Sequence, residues 1–315
     1  MNRKIIIDCD PGIDDAIALT MALFDPRLEV LAVTATAGCV DAAQATNNVN
    51  AIIEFLDPPR YPRVGKASSP SHAPVDSDST LHGSDGLGGL NLRGSNRQHL
   101  PASEKVMADL FRLYPGEITL VCLGPLTNLS AMIQRDPAAV AMIDKVIVSG
   151  GAISAPGNAS CCAEFNMFFD PPAAKEVFAS ATTKSLVPLD VTGNFTFGVE
   201  LLERLPDRNS RAGKLLHHVL TFAFRMSHNR LGREMLPLYD PTTMLSLFEP
   251  ELFTWEPMAG DVETQGKLTR GMTVFDLRLR PEWSTNLEVA TNINDEDAEL
   301  MLVQCLKYAG QRTGS

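Results

Sequence analysis

The sequence predicts an α/β protein with a Rossmann-like, mostly parallel central sheet flanked by helices, and three observations carry that prediction. An apolar run at 4–8 stops at a Pro11-Gly12 turn and leads into an apolar-rich helical stretch at 14–24. The same strand, turn and helix order recurs at 28–36 and 42–56. Three more short apolar runs, 118–123, 145–149 and 185–189, each precede a turn containing Gly or Pro and then helical sequence. Alternation of this kind requires crossover helices on the faces of a parallel sheet.

Taken in order, 4–8 reads as a strand buried on both faces, and 14–24 as its return helix. The second strand closes at Gly38, and the polar residues Gln44, Asn47, Asn48 and Asn50 give the second helix an expected partly exposed face. The stretch 57–101 is rich in Pro, Ser, Gly and His; it predicts a long functional loop rather than core structure. No composition break or internal repeat divides the chain, so a single domain over residues 1–315 is expected.

With 44% hydrophobic and 21% charged residues, the chain has the composition of a soluble globular protein. A net charge of −11 argues against nucleic acid or anionic lipid as a partner and favours a neutral or cationic small molecule. No stretch has the 18 or more apolar residues of a membrane span, and the run Ile5-Ile6-Ile7 is too short for a signal peptide. Six cysteines without a CxxC pair point to reduced thiols and a cytoplasmic setting.

Asp8, Asp10, Asp14 and Asp15 crowd one strand end, turn and helix start. Helix capping and dipole complementation account for any one of them. Four together repel unless a cation offsets them, and hard oxygen donors without a neighbouring His or Cys favour Ca²⁺ or Mg²⁺ over zinc. In an open parallel sheet this is also where ligands gather.

The run from Asp8 to Asp15 resembles the DxDPGxDD signature of the inosine-uridine-preferring nucleoside hydrolases. The resemblance continues through Leu81-His82-Gly83 with Gly86-Leu87-Gly88, then Gly124-Pro125-Leu126-Thr127-Asn128, Gly150-Gly151 and Gly157-Asn158. It extends to Ala163-Glu164-Phe165-Asn166, Asp240-Pro241, Gly266-Lys267-Leu268-Thr269 and Gly271-Met272-Thr273-Val274. It implies a nucleoside hydrolase fold, and hydrolysis of the N-glycosidic bond of ribonucleosides or closely related N-ribosides to ribose and free base, in a homodimer or homotetramer.

The resemblance further implies that Ca²⁺ is bound by Asp10, Asp15, Asp240 and the backbone carbonyl of Leu123. Asp10 is then the base that activates the attacking water, opposite an oxocarbenium-like transition state. Asp14 and Asn166 correspond to ribose-hydroxyl partners, Asn158 and Glu164 to partners of the 5′-hydroxyl, and His82 to a position near the base. Ordinary loop roles are the competing reading for Asn158, Glu164 and His82, and packing is the competing reading for His217 and His218.

Two positions depart from the family pattern. Cys39 stands where an Asn is usual, and Tyr239 where a His is often the leaving-group acid. Tyr239 is therefore a candidate acid, a surface for stacking on the base, or a core residue. A haloacid-dehalogenase-like phosphatase, suggested by the Asp8-Cys9-Asp10 spacing, and a non-catalytic nucleoside-binding or sensor protein are the alternative functions.

Overall fold

The computed structural model describes residues 2–70, 79–95 and 99–314. In chain order the strands are β1 (Arg3–Cys9), β2 (Leu28–Ala35), β3 (Arg63–Gly65), β4 (Ile118–Cys122), β5 (Lys145–Ser149) and β6 (Lys184–Val187). There follow β7 (Thr196–Phe197), β8 (Leu236–Pro237), β9 (Phe253–Met258), β10 (Gly260–Val262), β11 (Thr273–Phe275) and β12 (Leu287–Ile293).

Eight of these form one sheet in the order β3-β2-β1-β4-β5-β6-β12-β9, parallel throughout except for β9, which runs antiparallel to β12. The chain moves outward from β1 through β2 to β3, then restarts on the other side of β1 at β4. The gap between the carboxyl ends of β1 and β4 is therefore a topological switch point, where such sheets bind ligands.

The helices begin with α1 (Ile13–Phe24), α2 (Ala42–Leu56), α3 (Ser79–His82), α4 (Ser103–Leu113), α5 (Thr127–Arg135) and α6 (Pro137–Val140). The remainder are α7 (Phe165–Phe169), α8 (Pro171–Ala179), α9 (Leu189–Thr192), α10 (Arg211–Met226), α11 (Tyr239–Phe248) and α12 (Asp295–Arg312). Alternation along the strands sorts the core into two layers. Ile5 and Ile7 join Ile17, Leu216 and Leu302 on one face, whereas Ile6, Leu120 and Cys122 join Val106, Leu129 and Val177 on the other. Helix α1 is buried almost all round because it lies between the sheet and α10, α11 and α12.

The structure moves several expected boundaries. The expected strand 185–189 ends at Val187, because Pro188 has no N–H to continue the ladder, and Leu189 opens α9 instead. The stretch 57–101 is not all loop: Arg63–Gly65 adds an edge strand against β2, while its residues 71–78 and 96–98 lie outside the described residues. The expected exposure of Asn48 and Asn50 is also corrected, since both are buried. Asn48 Nδ2 donates to Pro11 O at 3.0 Å and to Asp85 O at 2.8 Å. A polar residue on this helix thus ties two loops together.

Candidate active site

Strand β1 delivers Asp10 to the switch point, and the turn after it is set by short contacts. Asp15 Oδ2 accepts from Gly12 N at 2.8 Å, and Asp10 Oδ2 accepts from Cys39 N at 2.6 Å. A Cβ at Gly38 or Gly124 would collide with the Asp10 carboxylate, so glycine is required on both flanks. Next to Asp10, Leu123 N donates to Asp8 O at 2.8 Å, which places residue 123 at the end of β4 beside the turn.

Asp10, Asp14, Asp15, Leu123, Asn158, Glu164, Asn166, Tyr239, Asp240 and His82 all line one cavity of about 560 Å³. The structure therefore brings together every residue singled out for chemistry. Asp8 is different. It is fully buried, and its Oδ1 accepts from both Thr34 Oγ1 at 2.6 Å and Asn128 Nδ2 at 2.8 Å, bracing β1 to β2 and α5, while Oδ2 has no partner among the described residues. It does not line the cavity, so Asp8 and Asp10 are not a nucleophile and acid sharing one site, and the phosphatase alternative falls.

Burial, with mutual repulsion, pushes Asp10 and Asp240 well above the usual carboxylate range. Burial alone is the largest cause for Asp14, raised to about 7, and for Asp15, raised to about 6. Asp15 Oδ1 is buried without a partner, while Asp240 Oδ1 accepts from Ser149 Oγ at 3.2 Å. Among the described residues no three His, Cys, Asp or Glu side chains already stand as a metal cage. Each carboxylate has instead turned one oxygen to a nearby donor. The unpartnered Asp15 oxygen, the crowding of anions and the all-oxygen donor set nevertheless fit a hard divalent cation.

The far wall is built by α7. Glu164 caps it: Oε1 accepts from Asn166 N at 2.9 Å and Oε2 from Met167 N at 3.2 Å, with Gly151 N also donating to Oε2 at 3.1 Å. Burial raises its carboxyl to about 7. Asn166 Nδ2 donates to Leu123 O at 2.7 Å and to Ser149 O at 3.0 Å, so both amide hydrogens are used and only Oδ1 is left to face a ligand. Asn158 Oδ1 accepts from Phe165 N at 2.8 Å, which leaves its amide hydrogens as donors.

Tyr239 is not a core residue. It lines the cavity with Asn158 beside its hydroxyl, and burial pushes that hydroxyl up to about 12. His82 Nδ1 accepts from Ile13 N at 3.3 Å and Nε2 lies 3.8 Å from Cys39 Sγ, so it stands against the turn that carries Asp10 to Asp15. The histidines His217 and His218 sit on α10, with Nε2 atoms 3.1 Å from Pro206 O and 3.0 Å from Gly88 O. Neither lines this cavity.

Sequence reasoning missed Arg233, an exposed lining residue whose charge acts on Tyr239, and Leu231 beside it. It also missed two loop organisers. Asp190 accepts from Ile153 N, Ser154 N and Ala155 N at 2.6–2.9 Å, and Asp85 from Leu87 N, Gly89 N and Asn91 N at 2.7–3.0 Å. The motif from Gly266 to Val274 buttresses rather than binds. Thr273 Oγ1 accepts from Ala152 N at 2.8 Å, and Gly271, at φ 78°, lies against the Phe168 backbone.

Residues 5–299 match the family model described as inosine-uridine preferring nucleoside hydrolase. The chain belongs to this nucleoside hydrolase family. It is 34% identical to the pyrimidine-specific ribonucleoside hydrolase RihA of Salmonella paratyphi B, over 98% of this chain and 99% of that relative. It is 36% identical to the non-specific ribonucleoside hydrolase RihC of Klebsiella pneumoniae, over 98% and 100%. A solved plant nucleoside hydrolase, PpNRh1, superposes with a TM-score of 0.87 at 31% identity, covering 98% and 99%. A purine-preferring ribonucleoside hydrolase from Gardnerella vaginalis gives 0.88 at 28%, with the same coverage. This nucleoside hydrolase is an enzyme acting on N-glycosyl compounds, and its substrates are ribonucleosides. Among the described residues no helix is long and apolar enough to cross a membrane.

Proposed function

We propose that the chain, as a single domain over residues 1–315, hydrolyses ribonucleosides to ribose and free base with Asp10 as the general base. The carrying observation is the convergence, in one cavity, of buried Asp10, Asp15 and Asp240 with the polar groups of Asn158, Glu164 and Asn166. Asp10, Asp15, Asp240 and the carbonyl of Leu123 would hold Ca²⁺. When bound, the ion supplies fixed positive charge that orients and acidifies the attacking water and draws in the ribose diol.

Asp10 receives the water proton; it lines the cavity, and glycines packed on both sides of its carboxylate hold it in place. Asn166 presents only Oδ1, so it accepts from a ribose hydroxyl rather than donating to one. Asp14 accepts from a second hydroxyl while Tyr239 N fixes its other oxygen. Asn158 and Glu164 sit together at the opposite wall and suit the 5′-hydroxyl. The acceptors of Asn166 and Asp14 strengthen as C1′ gains positive charge, which gives them a part in transition-state stabilisation.

Tyr239 stays protonated at neutral pH and, with the Arg233 charge near it, assists departure of the base. Arg233, Leu231 and Tyr239 then form the base-facing side, with His82 nearer the metal turn. The test is reducing-sugar release from a panel of purine and pyrimidine ribonucleosides with and without added calcium. Release of one ribose per free base supports the reading. Tight nucleoside binding without release under any divalent cation would make the protein a binder.

A further inference from the structure

We propose that a second cavity, on the outer face of α10, is a binding site for a phosphate group. It encloses about 420 Å³ and is lined by Arg208, Lys214, Arg225, His217, His218 and Thr221, with Phe222 and Gly88 completing the wall. The spacing of 214, 217, 218, 221 and 225 places these on one helical stripe. The chain as a whole carries a net charge of −11, yet no acidic side chain lines this cavity among the described residues. Arg208, Lys214 and Arg225 make no ion pair there among the described residues and are exposed.

Three uncompensated cations around one hollow repel one another unless an anion joins them. Asp207, the adjacent acid, accepts from Asn209 N and Nδ2 through Oδ1; its charge reaches His217, but it does not line the cavity. The helix start contributes nothing to the site: Gly213 N is capped by Ser210 Oγ and Ala212 N by Thr313 Oγ1. An independent observation comes from His217. It is nine-tenths buried, its Nε2 faces Pro206 O at 3.1 Å, and its Nδ1 is buried with no partner. A carbonyl only accepts, so Nε2 holds a proton and Nδ1 is the unsatisfied atom; burial and the neighbouring Arg208 charge lower the pKa of the ring and keep it neutral, so Nδ1 is an acceptor that suits the O–H of a protonated phosphate.

Guanidinium forks, an ammonium and a hydroxyl suit a tetrahedral oxyanion with several acceptor oxygens. The site also touches the catalytic half of the molecule. His218 Nε2–H donates to Gly88 O at 3.0 Å, Gly88 N donates to His82 O at 2.8 Å, and His82 lines the first cavity. A Cβ on Gly88, whose φ is 68°, would press on Phe222, so loop and helix are in close contact. An occupant therefore steadies the loop that carries His82. The assignment stands independently of the reaction proposed above.

The experiment is calorimetric titration with sodium phosphate at constant ionic strength and without added divalent cation, against a sodium chloride control. A parallel titration uses ribose 5-phosphate. We expect saturable binding at one site per chain, weakened about tenfold or more in an Arg208→Gln, Arg225→Gln double variant and by a smaller factor in Lys214→Gln. Equal affinities mean that free phosphate suffices, and tighter ribose 5-phosphate identifies a phosphomonoester; either supports the site. Occupancy should also slow hydrogen exchange across residues 83–89. No binding above chloride, binding unchanged in the double variant, or binding with no change in that exchange would overturn the proposal. All three substituted side chains are exposed, so unaltered thermal midpoints in the absence of phosphate are expected.

Discussion

The backbone N–H of Tyr239 donates to Asp14 Oδ2 at 3.1 Å, joining the first turn of α11 to the first turn of α1 across 225 residues of sequence. Asp14 is therefore positioned by the same segment that presents Tyr239 and Asp240. The sides of the cavity proposed above for the metal, the ribose and the base meet at this bond. A substitution at 239 is consequently read best where its backbone is undisturbed.

Tyr239→Phe keeps the ring and backbone and removes only the hydroxyl beside Asn158. Loss of a positioned acid should lower kcat about 10²-fold on natural ribonucleosides and little on a nitrophenyl riboside, whose leaving group needs no proton. Equal losses on both substrates would assign the hydroxyl to structure instead.

For Asn166, the expected outcome is loss of both stability and kcat. Asn166→Asp sets a carboxylate against the carbonyls of Leu123 and Ser149, which both lose a donor. Each buried acceptor left unpaired costs about 1–3 kcal/mol. Urea midpoints and steady-state kinetics check this, and a variant that raises KM alone would make Asn166 a simple anchor.

Gly38→Ala places a methyl group against the Asp10 carboxylate. Displacing a general base by about 1 Å can cost about 10²-fold in rate, so kcat should fall by that order while the fold persists. Full activity in the alanine variant would mean that Asp10 is not the base.

Chelation should abolish hydrolysis and lower the thermal midpoint, because the buried carboxylates then face one another uncompensated. Readdition of calcium at about 100 times its Kd should restore about 2.7 kcal/mol of stability. Undiminished turnover after exhaustive chelation would remove the metal from the mechanism.

Lys184, on β6, is buried, and its ammonium donates to Ser180 O at 2.6 Å and Thr182 O at 2.9 Å. Desolvation lowers its pKa to about 8 from 10.5. Between those values the unfolded chain binds more protons than the native one, so this group's contribution makes stability rise with pH. Below about 8 the full penalty is present, and above 10.5 it is gone. Comparing urea midpoints of wild type and Lys184→Met from pH 7.5 to 10, wild type should gain relative to the variant. Parallel curves would contradict the shift.

The opening β1-α1-β2-α2 unit was legible to within about two residues because apolar period and turn chemistry agree there. The edge strand β3 was not, since a three-residue run inside a Pro- and Ser-rich stretch carries no periodic signal. Strand β9 hides similarly: Phe253–Met258 contains Pro257 and is exposed at three of six positions. The carboxylates of the site were legible as a cluster, but only packing separates Asp8, which braces strands, from Asp10, which faces the cavity. Arg233, Asp85 and Asp190 act through loops that tertiary contacts place, so local sequence gave no sign of them.

Leu123 shows how much of such a site escapes side-chain genetics. The atom that accepts from Asn166 is a main-chain oxygen, and the isobutyl group points into the core. An alanine scan would record a packing defect at 123 and overlook the oxygen altogether. Chemical synthesis that swaps the following amide for an ester would address that oxygen directly, since it weakens the carbonyl as a base while leaving every side chain in place.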